Sequence, residues 1–174
     1  STKLIKENDT ISIVTYAGSD QVVLEGAKGS DSKEIMTAIE DLEAGGSTAG
    51  SEGIKTAYEI ARKYFKADGN NRVILATDGD LNVGITSEGE LTRLIKKEKE
   101  SGVFLSVLGF GTENIKDNKM EALADNGNGN YSYIDSRFEA KKVLSEELGA
   151  NFFTVAKDVK FQLEFNPKFI KGYR

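Results

Sequence analysis

Three stretches of this chain are apolar at nearly every position: ISIVTYAG (11–18), RVILAT (72–77) and VFLSVLGFG (103–111). Strands that alternate apolar with polar residues bury one face, whereas unbroken runs of this kind suit strands buried on both. QVVLEG (21–26) follows the first run after a Gly18-Ser19-Asp20 turn, so the two are expected to pair as a hairpin. Elsewhere the apolar period lengthens to that of a helix. In DSKEIMTAIEDLEAGG (31–46) Ile35, Ile39 and Leu42 share one face, with Asp31 and Glu34 placed to cap the start and Gly45 the end. SEGIKTAYEIARKYF (51–65) repeats the pattern through Ile54, Ala57, Tyr58, Ala61, Tyr64 and Phe65. Ser87 and Glu90 form a capping box for a helix over LTRLIKKEKE that stops near Gly102. A short helix around KMEALADNG leads to a strand YSYI (131–134), and Ser136 with Glu139 caps a last helix ending at Gly149.

This order of elements predicts an α/β fold. It is a doubly wound, mostly parallel sheet with QVVLEG as one antiparallel edge strand and helices on both faces. The opening STKLIKENDT resembles the last turn of a helix, with Leu4 and Ile5 apolar beside Lys3 and Lys6. The expectation is therefore that the chain is an excised piece of a longer protein.

Composition narrows the chemistry more than the fold. The chain has 174 residues, enough for one domain with a full core, 29% charged residues and a net charge of −5. No apolar run approaches the roughly 20 residues of a membrane-spanning helix, and no basic stripe points to nucleic acid. There is no Cys and no His. That removes disulfides, thiol catalysis, the commonest general base and the commonest transition-metal ligand. A metal bound here must be held by oxygen, which favours Mg²⁺, Mn²⁺ or Ca²⁺.

In doubly wound sheets, sites lie beyond the carboxyl ends of the strands. Two segments are placed there. LATDGDLNVG (75–84) brings Asp78 and Asp80 to the end of an apolar strand, and AGGSTAGSEG (44–53) is a glycine-rich loop feeding a helix. The loop copies the Gly45-x-x-x-x-Gly50 spacing of a phosphate cradle, but Ser51-Glu52 stand where Lys-Ser/Thr is required. It is otherwise a plain connection, or a loop offering Ser47 or Thr48 to a hard cation. Asp78-x-Asp80-x-Asn82 begins like an EF-hand loop and then fails at Val83 and Gly89. DNGNGN (125–130) fails in the same way at Tyr131 and Arg137. The plain alternative for Asp78-Gly79 is a turn that ends a strand.

Taken together, GGST before a helix and an apolar strand ending in TDG about thirty residues later resemble the von Willebrand factor type A domain. ISIVTYAGSDQVVLEG, LEAGGSTAGSEGI, VILATDGDLNVG and FLSVLGFG look like its consecutive landmarks over residues 1 to 155. The likeness is to bacterial surface or lipoprotein-like members. In those a segment resembling FFTVAKDVKFQLEFNP opens a further C-terminal region, so 156–174 is expected to begin one. The resemblance implies a Mg²⁺ or Mn²⁺ site that recognises a carboxylate of a protein partner. Thr48 and Asp78 match two of its three ligand groups, with Ser47 and Asp80 beside them. It also implies a bacterial extracellular, cell-surface or periplasmic setting.

The third ligand group, D-x-S-x-S, occurs nowhere in the 174 residues. The strand that carries it, central in the sheet, is expected to precede Ser1. The site would then be incomplete and bind metal poorly, and the sheet would be open to a swapped or complementing strand. VKFQLEF (159–165) alternates apolar with polar positions, which suits a half-exposed edge and not that central place. The expectation is a binding or adhesion module and not an enzyme. The alternative is a haloacid dehalogenase-like phosphatase, since Asp78-x-Asp80 after a strand has the spacing of its aspartate nucleophile. The later strand ends LGFGTEN and YSYIDS lack the lysine that chemistry needs.

Overall fold

The computed structural model describes residues 5–16, 21–42, 50–78, 88–110 and 118–148. Its elements run β1 (Thr10–Thr15), β2 (Gln21–Lys28), α1 (Ser32–Glu40), α2 (Gly50–Lys63), β3 (Asn71–Thr77), α3 (Glu88–Glu100), β4 (Val103–Phe110), α4 (Asn118–Asn126), β5 (Tyr131–Ile134) and α5 (Arg137–Leu148). Strand follows helix in the predicted order.

β3, β4 and β5 form a parallel sheet with β4 in the middle. Asn71 to Thr77 lie in register against Val103 to Gly109, and Val107 to Phe110 against Tyr131 to Ile134. β1 and β2 form a separate antiparallel pair, with Thr10 opposite Lys28 and Thr15 opposite Gln21. The expected hairpin and the expected parallel strands are both present, but among the described residues they form two sheets. α2 packs against both β1 and β3.

Helices cover both faces of the parallel sheet. Ile54 and Tyr58 of α2, Leu91 and Ile95 of α3, and Met120 and Leu123 of α4 close over Val73, Leu75, Leu105 and Val107. On the opposite face Val143 of α5 packs on Leu108 and Ile134. Ile35 and Ala38 of α1 cover Leu24 and Ala27 of β2. Each aliphatic side chain fully buried in this way contributes about 1.5–3 kcal/mol.

Several local expectations hold. Gly102 ends the α3 region in the left-handed conformation, at φ +90°. The Glu139 amide donates to Ser136 Oγ at 3.2 Å, which is the forward half of the predicted cap. DNGNGN is explained by packing. Its Gly127 carbonyl accepts from the Leu105 amide at 3.0 Å and its Asn130 carbonyl from Val107 at 2.9 Å. A Cβ on Gly129 would lie 1.8 Å from the Leu105 carbonyl oxygen, so only glycine allows the chain this close to β4.

Other expectations are corrected. Burial on both faces holds for β4, whereas β3 buries Val73, Leu75 and Thr77, half-buries Ile74 and exposes Ala76. β1 is half-buried throughout. Among the described residues these strands have fewer strand neighbours than β4, and the same apolar pattern meets less cover. α1 stops at Glu40, with Asp41 as its C-cap, and Ile39 and Leu42 are 45% and 40% exposed. Of the described helix, Ile35 and Ala38 are the buried side chains, and they pack against the hairpin. Asp31 occupies the N-cap position without a side-chain capping bond. Its carboxylate accepts instead from the Lys28 amide and the Ser30 hydroxyl, both at 3.3 Å. Residues 5–9 form a bend and a turn, and the residues before them, where the end of a helix is expected, lie outside the described residues. Ser87, the Gly45 stop, Gly149 and the segment VKFQLEF lie outside the described residues.

Candidate metal centre

The parallel sheet places its ligand-accessible rim at the carboxyl ends of β3, β4 and β5. β3 ends on the buried Thr77, and Asp78 follows as an exposed residue in a bend. The strand register therefore delivers this carboxylate to the rim and leaves it in solvent. It forms no ion pair with a described residue.

β1 ends next to this point. Tyr16, the residue after β1, donates its hydroxyl to the Ala76 carbonyl at 2.9 Å. The ring thus reaches from the hairpin to the end of β3 by a side chain, where no backbone pairing joins the two strands. Burial pushes the Tyr16 phenol above its usual 10.0, its hydrogen bond with the Thr77 side chain works the other way, and the charge of Asp78 adds to the rise. Thr77 and Asp78 both act on this phenol, the first by a hydrogen bond and the second by its charge.

The second arm is the start of α2. Ser51 is fully buried in its first turn, and its Oγ has no hydrogen-bond partner among the described residues. Gly53 sits against Tyr16, and a Cβ added there would lie 2.6 Å from the Tyr16 Cβ. The absence of a side chain at position 53 is what lets the tyrosine ring pass between β1, β3 and α2.

Of the sequence-predicted ligands, Asp78 is at the rim in the predicted place. Thr48, Ser47 and Asp80 lie outside the described residues. Among the described residues no three acidic, histidine or cysteine groups gather to hold an ion. An exposed carboxylate at a strand end, in a chain without His or Cys, fits a hard cation such as Mg²⁺ or Mn²⁺ and not a soft one. Sequence reasoning missed Tyr16, Ser51 and Gly53. Tyr16 continues an apolar run and reads as core, and no spacing rule separates it from its neighbours.

A doubly wound α/β domain with an acidic residue beyond its parallel strands is the class these features define. The model of the von Willebrand factor type A domain matches residues 2–147, and the chain belongs to that family. A second model, "Uncharacterized protein YfbK, C-terminal", matches residues 150–174. The chain is 49% identical over 172 residues to "Uncharacterized protein YfbK" of Escherichia coli (strain K12), covering 99% of this chain and 30% of that protein. The chain thus spans less than a third of that relative's length.

Two solved structures share the fold. The von Willebrand factor type A protein from Catenulispora acidiphila superposes with a TM-score of 0.67 at 20% identity, over 84% of this chain and 35% of that one. Proximal thread matrix protein 1 from the mussel byssus, described "with zinc occupied MIDAS motif", gives a TM-score of 0.55 at 23% identity, over 80% and 34%. The family is one of protein-interaction modules in general. No helix among the described residues is long and apolar enough to cross a membrane.

Proposed function

We propose that this chain is a protein-binding module that recognises an acidic group of its partner through a Mg²⁺ or Mn²⁺ ion held by Asp78 and Thr48. The observation that carries the reading is the exposed Asp78 carboxylate directly after a buried parallel strand. The zinc in the metal-site motif of the mussel protein is in keeping with it. Asp78 and the Thr48 hydroxyl would hold the ion as hard oxygen ligands, and the bound ion would supply a positive charge with positions open to a carboxylate. Because D-x-S-x-S is absent from these residues, two ligands act alone and affinity is weak.

Calorimetric titration with Mn²⁺ tests this. Weak binding, lost in Asp78→Ala and in Thr48→Ala, is expected. Binding that survives Asp78→Ala would sink the assignment. Turnover of an aryl phosphate, abolished by Asp78→Asn, would favour the haloacid dehalogenase-like alternative.

The module's partners include an extended strand supplied by another copy or another protein. The division into two sheets beneath one helix supports this, since β1 and β3 are not hydrogen-bonded as neighbours. Strand edges left unpaired in this way accept an added strand by backbone hydrogen bonding. Sedimentation of the chain across a range of concentrations, alone and with candidate strand peptides, checks it. A strict monomer that takes up no peptide would remove this part of the reading.

A further inference from the structure

The residue that joins the two arms of the candidate site is neither of its ligands. Tyr16 touches β3 through a hydrogen bond to the Ala76 carbonyl, two residues before Asp78. It bonds the Thr77 side chain next to Asp78. Its other side rests on Gly53, five residues after Thr48, where there is no room for even a methyl group. Among the described residues the two sheets do not pair with one another, and none supplies the end of β3 with a strand neighbour on the β1 side. A strand end held on one side only is free to fray.

We infer that Tyr16 is a positioning residue. Its hydroxyl fixes the last turn of β3 so that Asp78 is presented at a constant place relative to the start of α2. This rests on the reading of Asp78 as a ligand for its value to binding, but not for the brace itself. The phenol is suited to the task. It is rigid, it is half-buried against α2, and its hydroxyl both donates to Ala76 and bonds Thr77. Phenylalanine would keep the ring on Gly53 and lose only the two polar contacts. Alanine at position 53 would keep the hydroxyl and displace the ring.

The test uses Tyr16→Phe and Gly53→Ala in the whole chain, with two measurements. The first is residue-resolved amide hydrogen exchange without metal. Losing the hydrogen bond to the Ala76 carbonyl together with the weaker contact to Thr77 is expected to speed exchange at Ala76 to Asp78 about three- to tenfold in Tyr16→Phe. Exchange in the middle of β4 should be unchanged. Gly53→Ala should do the same or more. Unchanged exchange at the end of β3 overturns the inference. So does an equal rise throughout the sheet, which would mark a contact that serves stability alone.

The second measurement is Mn²⁺ affinity by calorimetry. A several-fold loss in Tyr16→Phe, against complete loss in Asp78→Ala, is the expected pattern. Full affinity in Tyr16→Phe, with binding still dependent on Asp78, overturns the positioning role. If Asp78→Ala has no effect on Mn²⁺ while exchange at the end of β3 rises in Tyr16→Phe, the metal reading fails and the brace stands.

Discussion

β3 and β4 are neighbours in one sheet, nearly equal in length and alike in hydropathy, yet they live in different environments. β4 is buried from Val103 to Gly109 save for the half-buried Phe104, because β3 and β5 flank it and helices lie above and below. β3 buries only the side that faces α2, α3 and α4, and it leaves Ala76 exposed on the other. An apolar sequence makes a strand able to be buried. The neighbours on each side decide whether it is.

The widest separation between the two strands should come from truncation. Leu105 is wholly buried, so Leu105→Ala should cost about 2–5 kcal/mol by cavity formation, while Ile74→Ala, on the open side of β3, should cost under about half as much. Urea unfolding of both variants measures this, and equal losses would break the comparison.

A middle-sized effect belongs to the covered side of β3, where the Tyr58 ring is buried. Burial, with the nearby Glu98 carboxylate second, pushes the Tyr58 phenol well above its usual 10.0. Both states hold the proton below that value, so no stability is lost there. Above it the unfolded chain releases the proton while the folded chain keeps it, so stability falls as pH rises towards the folded value. Unfolding free energies between pH 8 and 11 should show that decline, and Tyr58→Phe should flatten it. The smallest effect is expected at Ala76→Ser, on the exposed position of β3, which should leave the unfolding midpoint within about 0.5 kcal/mol of the parent. A large loss there would mean that another surface covers this side.

A second contrast lies within one turn of α2. Arg62 pairs with Glu98 of α3, whose carboxylate is 2% exposed and keeps one oxygen without a partner among the described residues. Lys63 pairs at 2.5 Å with the more exposed Glu25 of β2. Arg62→Met strands a buried charge and should cost about 1–3 kcal/mol, whereas Lys63→Met should leave the unfolding midpoint unmoved. The first contact holds α2 to α3, and the second only decorates the side nearest the hairpin.

Much of this was open to the sequence alone. Unbroken apolar runs marked β1, β3 and β4, and turn residues marked the hairpin. Ser136 with Glu139 and the glycine at 102 marked helix ends, because these signals act over three or four residues and need no partner from afar. TDG after an apolar run placed Asp78 at the end of a strand for the same reason. What only the tertiary structure decided are the relations between distant segments. The Ile39 and Leu42 side chains proved largely exposed, while Ile35 and Ala38 of the same helix are buried against the hairpin. The strands divided into two sheets under α2, and Tyr16 reached across 60 residues of sequence to the Ala76 carbonyl. Local pattern specifies which residues can be buried or can bind. Which of them meet is set by packing, and packing is a property of the assembled chain.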